Sequence, residues 1–540
     1  MNRQGRILVV DDLPKWREQL VEILQGEGYF ADSASSVAEA LEKLKETFYH
    51  VLVLDVRMVP ADSSNIEGID LLGELDKLGL SEAIKVIILS AYGNQKRMRL
   101  AFKDYKVADF LSKDNFNKQV LLEPVRRIFS KEVNINLALQ IHWQQISGSE
   151  QVVVDLEADG TPVKSGTELQ KRVAAELEDL LCRLFYRAKS VLVQPLTQGH
   201  SGTGVLRVQP FYTEGSGHEV VVKFGDFHKV EEEYHNFKDY VQPFLGGGRN
   251  TTVLDFRRTP HLGGIIYSLL GTINDQLVDF GDFYRRTDMP QIKEALNRLF
   301  QDTCGVWYAN RGHLEPLNLT KDYQSLLEYP LEVLEQVVSE QIEFMQGKQR
   351  FRFNHLRSRR TFTNPFLVMA ELSLTLPAYL CITHGDFNQH NLLVDSTEHV
   401  WMIDFQGTGQ GHILRDVAML DSVVRFQLLP AKEATLKERL QMEEALCSIE
   451  RFSQVEQLTT KFSTANPALT KTYNAVVYLR TLARRLVNQN PNDDMSEYYI
   501  ALLYNALNTL QFFSLPSVQH EHALLSASLL VDQLEKGRST

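Results

Sequence analysis

The stretch from His384 to Phe405 reads HGDFNQHNLLVDSTEHVWMIDF and places Asp386, Asn391 and Asp404 at defined spacings. Asp386 and Asn391 lie on one short loop, and Asp404 follows an apolar run, VWMI (400–403), that is typical of a buried strand. A carboxylate can accept a proton from a hydroxyl group, and oxygen ligands hold the Mg²⁺ that binds nucleotide phosphates. The pattern therefore indicates a phosphoryl-transfer site, with Asp386 as the base and Asn391 and Asp404 as magnesium ligands.

This segment resembles the aminoglycoside phosphotransferase and choline kinase group, the small-molecule branch of the protein-kinase-like fold. The family motif, HGDxxxxN followed by I-D-[FW], is matched residue for residue. The resemblance implies an α+β bilobal domain with a largely helical C-lobe, ATP and Mg²⁺ as cofactors, and a hydroxyl-bearing acceptor. It also implies supporting roles for His384 and for Asp416, which buttresses the catalytic loop in the family. Gln406 and His412 depart from the family pattern at positions that are not ligands, which leaves the substrate class open.

A glycine-containing turn, LTQGHSGTGVLRV (196–208), precedes the motif, as a nucleotide-binding lobe requires. Glycines allow backbone N–H groups to approach phosphate, and hydroxyl groups can add hydrogen bonds, although such a turn is also typical of a plain hairpin. The residues assigned to ATP binding on this basis are Gly199, Ser201, Gly202 and Gly204, and Thr203 could donate a further hydrogen bond.

The strand EVVVKFG (219–225) carries a single lysine, Lys223, where the family places the lysine that contacts the ATP phosphates. The helical segment EEEYHNFKDYV (231–241) then offers three glutamates, of which Glu233 is the predicted ion-pair partner. Glu231 and Glu232 are interpreted as a solvated first helical turn. The apolar strand LGGIIYSLLG predicts a hinge against adenine near residues 267–270.

A second site is indicated in the first 130 residues, where each of four apolar strands ends in a polar side chain. Open parallel sheets build their sites at the carboxyl ends of strands, so these side chains are expected to form an acidic Mg²⁺ pocket with a hydroxyl and a lysine. The strands are GRILVVDD, HVLVLDVRM, AIKVIILSAY and VADFLSKD.

This arrangement resembles the receiver domain of bacterial response regulators, a doubly wound, flavodoxin-like α/β fold. The resemblance implies that Asp55 is the phospho-acceptor and that a histidine kinase or another phosphodonor is the partner. The other positions that it implies are the magnesium ligands Asp11, Asp12 and Asp55 with the Arg57 carbonyl, the switch residues Ser90 and Phe110, and Lys113. The loop after Asp55 is several residues longer than the family pattern.

Composition agrees with a soluble, multidomain chain. A chain of 540 residues is too long to fold around a single hydrophobic core, so several domains are expected. The net charge of −12 argues against nucleic-acid or membrane binding. Four scattered cysteines fit neither a disulfide framework nor a zinc cluster, so a reducing, cytoplasmic location is expected. The predicted domains are a receiver (1–130), a connector (131–190), a kinase-like N-lobe (191–270) and a kinase-like C-lobe with a helical insertion and C-terminal helices (271–540).

The connector contains a strong amphipathic pattern, TELQKRVAAELEDLLCRLFYRAK (167–189), with Thr167 and Gln170 as a predicted capping box. Its apolar face is expected either to pack on the N-lobe or to form a dimerisation or signalling helix, and a homodimer stays open. The apolar positions are Leu169, Val173, Leu177, Leu180, Leu181, Leu184 and Phe185.

Two C-terminal patterns add further expectations. The segment KQRFRFNHLRSRR (348–360) interleaves six basic residues with two phenylalanines. It is interpreted as a solvated charge run, with a phosphorylated substrate, an acidic partner or single-stranded nucleic acid as alternative ligands. Beyond residue 417 the apolar stripes predict helices, including ALCSIERF (445–452).

The sequence as a whole predicts a two-component signalling protein. In it, a phospho-accepting receiver controls an ATP-dependent phosphotransferase with an alcohol acceptor, most simply a small molecule. Two alternatives remain, a nucleotide-binding pseudokinase that serves as an interaction module and a kinase that phosphorylates a protein.

Overall fold

The computed structural model describes residues 3–57, 67–91, 105, 107–158, 160–196, 202–245, 251–268, 277–341, 347–353, 356, 359–512 and 514–538. The chain forms two compact units, one of residues 1–234 with 252–269 and one of residues 235–251 with 270–540. Several predicted features lie outside the described residues: Gly199, Ser201, the hinge positions 269–270 and most of the loop after Asp55 (58–66).

The first unit begins with a sheet of five parallel strands in the order β2-β1-β3-β4-β5. The strands are Arg6–Val10 (β1), Phe30–Ala34 (β2), Val51–Leu54 (β3), Lys85–Ser90 (β4) and Asp109–Ser112 (β5). The described helices around them are Pro14–Gly26, Val37–Glu46, Glu67–Lys77 and Lys118–Arg127. Hydrophobic clusters cover both faces of this sheet, which is why β3 is buried along its whole length. The predicted doubly wound fold is confirmed.

A second sheet in the same unit has the strand order β13-β14-β12-β10-β9-β6, with β11 paired to β10. Its strands are Gln140–Trp143 (β6), Ser190–Pro195 (β9), Gly204–Tyr212 (β10), Gly215–Ser216 (β11), Val220–Asp226 (β12), Thr252–Arg258 (β13) and Leu262–Ser268 (β14). A separate ribbon joins Glu157–Ala158 (β7) to Thr161–Pro162 (β8). All pairs in the second sheet are antiparallel except β6 with β9, so a strand from the predicted connector extends the sheet.

The helix Glu168–Leu184, called the connector helix here, packs its apolar face into one core with the second sheet. The apolar face therefore packs on this sheet, as the first of its two predicted roles requires. The Thr167 hydroxyl accepts the Gln170 N–H, but the Gln170 side chain accepts the Gly166 N–H, so the predicted capping box is half formed. Beside the apolar face runs a charged stripe that is buried, contrary to the amphipathic pattern: Glu176, Asp179 and Arg183.

The helix Phe227–Asn236 follows β12 and continues into the π-helical turn Phe237–Val241 and the helix Gln242–Leu245. The second unit is otherwise built of short strands and many helices. Its strands are Val278–Asp279, Glu315–Asn318, Arg350–Phe351, Phe362–Thr363, Thr375–Ala378, Leu380–Thr383, Leu392–Val394, Val400–Met402 and Gly409–His412. Its earlier helices are Phe280–Arg286, Met289–Asn297, Gly305–Ala309, Leu319–Gln324, Leu331–Gln341 and Pro365–Glu371.

The last helices are Arg415–Val423, Leu436–Leu446, Pro467–Leu486, Ser496–Thr509 and Ser517–Arg538. One predicted helix in this region is wrong. Within ALCSIERF the helix Leu436–Leu446 ends, and the chain turns through residues 447–451 before the 3₁₀ helix Phe452–Thr460. The apolar residues Cys447 and Ile449 are buried in this turn, so they match the helical stripe without belonging to a helix.

A buried ion network joins these C-terminal helices. Arg425 donates to Asp421 at 2.6 Å and to Glu443 at 2.9 Å, and Arg480 donates to Asp421 at 3.1 Å. His522 Nε2 lies 2.9 Å from the other Glu443 oxygen. Because charges buried away from water need partners, each of these side chains depends on the others.

The basic segment is tied into the fold of the second unit. Phe351 and Phe353 are buried and pack in an aromatic cluster with Phe362, so they do not offer exposed rings to nucleic-acid bases. Arg350 donates to Thr361 and Thr363, and Arg360 pairs with Glu444. In the described part of this segment, the two phenylalanines therefore belong to the hydrophobic core. Arg350 and Arg360 form hydrogen bonds or ion pairs with other residues of the unit.

Candidate functional sites

Three carboxylates meet at the carboxyl ends of β1 and β3. The ligand oxygens of Asp11, Asp12 and Asp55 all lie within 4.8 Å of one another. Lys113 reaches them from the end of β5, and its Nζ donates to Asp11 Oδ2 and Asp55 Oδ2 at 2.6 Å each. The parallel sheet thus brings together four side chains that are far apart in sequence.

The chemistry of this pocket fits Mg²⁺. Burial and the negative charge of Asp55 raise the pKa of Asp12, because three carboxylates face one lysine. Asp12 Oδ2 is buried and has no hydrogen-bond partner among the described residues. A divalent cation with oxygen ligands would neutralise this excess charge. Arg57, whose carbonyl is a predicted ligand, donates its own N–H to Asp55 Oδ1 at 3.2 Å and so lies beside the pocket.

The predicted switch residues lie on neighbouring strands. Ser90 is the buried last residue of β4, and its carbonyl accepts the Lys113 N–H at 3.0 Å. Phe110 in β5 pairs with Ile88 of β4 and is partly buried against the core. Ser90 therefore lies at the edge that carries Asp55, and Phe110 lies on the adjacent strand, two residues before its end.

In the second unit, the loop after the strand Leu380–Thr383 closes on Asp386. Asp386 Oδ2 accepts hydrogen bonds from Asn391 Nδ2 at 2.8 Å and Asn388 Nδ2 at 2.9 Å. Asn391 Nδ2 also donates to the Asp386 carbonyl at 3.1 Å. Because its nitrogen faces Asp386, the Asn391 side chain presents Oδ1 as the atom that can bind a metal.

Asn388 belongs to this site but was not predicted. Its Oδ1 accepts the N–H groups of His390 and Asn391 at 2.8 and 3.1 Å, which closes the loop as an Asx turn. Asparagine commonly forms such turns with residues two and three positions ahead, so the N-x-x-N spacing within the motif was the available signal.

Asp416 supports the loop from the helix Arg415–Val423, as the resemblance implies. Its two oxygens accept the N–H groups of His384 at 3.0 Å and Gly385 at 2.9 Å, and Tyr308 donates its hydroxyl at 3.1 Å. His384 Nε2 lies 3.1 Å from the Ile403 carbonyl, which requires a protonated Nε2. His384 thereby links the loop to the residue before Asp404.

Asp404 has a left-handed backbone with φ 68°, a conformation that costs free energy in a residue other than glycine. Such strain is concentrated at functional sites, where surrounding contacts enforce it. Nearby, Gly385 has φ 83°, and an added Cβ would lie 2.2 Å from the Gly407 carbonyl oxygen. The loop and the chain after Asp404 therefore approach each other through bare backbone.

Burial raises the pKa of Asp386, and the charge of Asp404 acts in the same direction. The two carboxylates are therefore electrostatically coupled, which is expected if a cation belongs between them. The residues that depart from the family pattern lie apart from this pair. His412 is buried between the Tyr323 hydroxyl and Glu497, and the Gln406 carbonyl accepts the Asn236 amide.

The first unit holds a second group of predicted residues. Lys223 Nζ in β12 forms an ion pair with Glu233 Oε2 at 2.7 Å, and both side chains are less than 5% exposed. The Tyr267 hydroxyl donates to the other Glu233 oxygen. Glu231 and Glu232 show no such pairing with Lys223. Of the glycine-rich turn, Gly202 has φ 70°, and Gly204 packs closely on Phe224.

A family model described as "Ternary complex associated domain 9" matches residues 188–349 and 355–511, which is more than half of the chain. The chain belongs to the ternary complex associated domain 9 family. A second model, "Response regulator receiver domain", matches residues 7–126. The first sheet with its helices is therefore a receiver domain, and the ternary complex associated domain 9 region follows the connector helix.

The similar proteins match the receiver domain. An uncharacterized 14.6 kDa protein from the sodA1 3' region of Leptolyngbya boryana is 36% identical over 106 residues, which cover 19% of this chain and 77% of that protein. Response regulator RR06 of Streptococcus pneumoniae is 35% identical over 99 residues, or 18% of this chain and 42% of RR06. This chain thus spans less than half the length of RR06.

Solved structures match the same part of the chain. TrrA of Thermotoga maritima, in complex with Mg²⁺-BeF, is 36% identical with a TM-score of 0.20, covering 23% of this chain and 99% of TrrA. A CheY-like receiver from Methanospirillum hungatei is 24% identical with a TM-score of 0.22, covering 24% and 97%. Within the described residues, no helix is both long enough and apolar enough to cross a membrane.

Proposed function

We propose that the ternary complex associated domain 9 region is an ATP-dependent phosphotransferase with a hydroxyl acceptor, and that the receiver domain controls it. The observation that carries the proposal is the loop in which Asn391 and Asn388 hold Asp386 beside Asp404. This arrangement supports the assignment of Asp386 as base and of Asn391 and Asp404 as magnesium ligands.

The elevated pKa of Asp386 suits a proton acceptor, because a carboxylate with a higher pKa is a stronger base. Two amide N–H groups orient one of its oxygens, which fixes the direction of proton transfer from the acceptor hydroxyl. Mg²⁺ would neutralise charge on the transferred phosphoryl group when ATP is bound. Asn391 Oδ1 and the strained Asp404 are the oxygen ligands that fit it.

The Lys223–Glu233 pair supports nucleotide binding in the first unit. A buried lysine held at 2.7 Å by a carboxylate keeps one direction, which suits contact with the ATP phosphates. Gly202 and Gly204 would let backbone N–H groups approach those phosphates. A small-molecule acceptor is the simplest choice, and a protein acceptor is the alternative.

Control by the receiver is supported by its intact pocket. Phosphorylation of Asp55 by a histidine kinase or another phosphodonor would place new charge beside Lys113 and Ser90. The ion pair between Lys113 and Asp55 would then be replaced by one with the phosphoryl group, which favours a different surface of the receiver.

The test uses the full chain with γ-labelled ATP, Mg²⁺ and a host-cell extract, compared with Asp386→Ala and Asp386→Asn. Transfer by the wild type alone, into the small-molecule or the protein fraction, would support the proposal and identify the acceptor class. Asp395→Asn is a matched control, because Asp395 lies on the neighbouring turn and bonds Thr397 and Trp401 instead of the catalytic loop.

If wild type and both Asp386 variants bind ATP with equal affinity and none of them transfers label to any fraction, the phosphotransferase assignment fails. The region would then act as a nucleotide-binding module. Loss of transfer in Asp395→Asn as well would show a general structural defect and remove the support for a specific role of Asp386.

A further inference from the structure

The buried charged stripe of the connector helix contacts the receiver domain. Asp179 Oδ1 lies 2.7 Å from His50 Nε2, and Asp179 Oδ2 accepts a hydrogen bond from Arg183 at 2.8 Å. All three side chains are at most 6% exposed. Burial opposes the charge of Asp179, but His50 and Arg183 hold its pKa at about 2. An ionised carboxylate therefore bridges the receiver and the connector helix.

The same stripe holds the turn between β13 and β14. Glu176 accepts the His261 N–H at 2.8 Å, and Arg183 donates to the Arg258 carbonyl at 3.0 Å. The His261 carbonyl in turn accepts the N–H of Phe227 at 3.1 Å. Connector helix, hairpin turn and the first residue of the helix Phe227–Asn236 are thus linked by hydrogen bonds.

Arg258 connects the hairpin turn to the receiver domain. Its guanidinium donates to the Gly79 carbonyl, after the helix Glu67–Lys77, at 2.6 Å and lies 3.8 Å from the centre of the Phe227 ring. An added Cβ on Gly79 would meet that ring at 3.1 Å. The receiver therefore touches the start of the helix that carries Glu233. We call His50, Gly79, Asp179, Arg183 and Arg258 the receiver junction.

Both ends of the junction lead to a functional residue. His50 immediately precedes β3, the four-residue strand that ends before Asp55. Phe227 is six residues before Glu233 on a single helix. We propose that the receiver junction transmits the phosphorylation state of Asp55 to the Lys223–Glu233 pair, an inference that rests on the proposed function because it takes that pair as the regulated element.

The physical basis is that a strand and a helix are stiff over these lengths, whereas the junction between them is a set of directional contacts. A displacement of β3 along its axis changes the His50–Asp179 distance, and Asp179 shares Arg183 with the hairpin turn. Coupling of this kind requires two arrangements that differ in contacts at the junction.

The experiment measures hydrogen–deuterium exchange of residues 227–236 in the full chain, with Mg²⁺ and with or without beryllofluoride as an acyl-phosphate mimic. The wild type is expected to change its exchange rate in this segment by about fivefold, in the range of ordinary coupling. Asp55→Asn should show no change. Trp16 emission reports ligand binding separately, because the Trp16 ring lies 5.1 Å from Lys113 Nζ.

Two variants break the junction in different places. Asp179→Asn removes the bridging charge, and Arg258→Met removes the bond to Gly79 while keeping an aliphatic chain against Phe227. In each, beryllofluoride should still alter Trp16 emission, while the response of residues 227–236 falls below about twofold. Lys171→Gln is the matched control, because Lys171 lies on the same helix, exposed and paired with Glu168, and should respond like the wild type.

The proposal would be overturned if both junction variants kept the wild-type change in exchange of residues 227–236. It would also be overturned if beryllofluoride changed Trp16 emission in the wild type without changing the exchange of residues 227–236. The γ-labelled ATP assay is read independently. Coupled exchange without phosphoryl transfer would contradict the proposed function and leave the junction route standing. Phosphoryl transfer without a change in exchange would support the proposed function and contradict the junction route.

Discussion

Gly385 and Gly407 approach so closely that a Cβ on Gly385 would lie 2.2 Å from the Gly407 carbonyl oxygen. Backbone on both sides leaves nothing flexible to move aside. The φ of 83° at Gly385 adds a second reason for glycine, because other residues adopt it at a cost. The close approach of the Asp386 loop to the chain after Asp404 therefore depends on the absence of a side chain at Gly385.

Gly385→Ala should separate the two loops and lower phosphoryl transfer by at least about 10²-fold, since small displacements of catalytic groups have effects of this size. The free energy of unfolding should fall by roughly 1–3 kcal/mol. Label transfer and urea denaturation measure the two effects. Gly148→Ala serves as a control, because an added Cβ there meets no atom within 4 Å. A Gly385→Ala protein with normal activity would contradict the tight approach.

Asp404→Asn should reduce phosphoryl transfer by at least about 10²-fold without loss of stability, because asparagine tolerates the left-handed backbone but lacks the charge that binds a cation. Asp404→Ala should abolish transfer in a protein that still folds. The measurement is the initial rate of label transfer, with thermal unfolding as a check. Near wild-type activity in either variant would exclude Asp404 as a magnesium ligand.

Lys223→Met removes the ammonium group that pairs with the buried Glu233 carboxylate and should destabilise the protein by roughly 3–5 kcal/mol. In the double variant Lys223→Met/Glu233→Gln the loss should be smaller than the sum of the single losses, because the two side chains stabilise each other. Denaturant unfolding followed by a double-mutant cycle tests this, and strictly additive losses would speak against a coupled pair. ATP affinity should fall in every variant that lacks Lys223.

Mg²⁺ binding should change Trp16 emission, because a cation among Asp11, Asp12 and Asp55 competes with Lys113, which lies over the Trp16 ring. Asp12→Asn should weaken the apparent Mg²⁺ affinity by about tenfold or more. A fluorescence titration measures both. Trp16→Phe should lose the response although three other tryptophans remain. A response that survives in Trp16→Phe would place its origin elsewhere.

Stability should fall as the pH drops below about 6.5, because burial lowers the pKa of His522 from 6.5 to about 4. Between these values the unfolded chain binds a proton that the folded chain does not, so unfolding is favoured. Glu443 extends the loss, since Arg425 holds its pKa at about 2 against an unfolded value of 4.5. Urea denaturation at several pH values tests this. His522→Gln should flatten the dependence between about pH 6.5 and 4.

The sequence was most informative where a functional side chain follows an apolar strand. Asp11, Asp55, Ser90 and Lys113 end strands of a parallel sheet, so their proximity follows from fold geometry alone. The supporting role of Asp416 was predicted from a resemblance to the phosphotransferase motif, and the structure shows that its carboxylate accepts the N–H groups of His384 and Gly385.

Contacts that depend on tertiary packing could not be predicted from the sequence. Glu176, Asp179 and Arg183 lie on the polar side of an amphipathic pattern, which ordinarily faces solvent. They are buried because another part of the same unit covers them, and one sequence carries no signal for that. The end of the helix before Cys447 was not predicted, because Cys447 and Ile449 continue the helical spacing of apolar residues although they lie in a turn.

The strand Gln140–Trp143 joins the second sheet outside the residues that the family model covers, next to Ser190–Pro195. A protein cut to begin at Ser190 would therefore expose an unpaired sheet edge, together with the apolar surface that the connector helix covers. Such a fragment is expected to aggregate, whereas one that begins before Gln140 would keep both elements. The unit that can be moved between chains by recombination is accordingly larger than the stretch that defines the family.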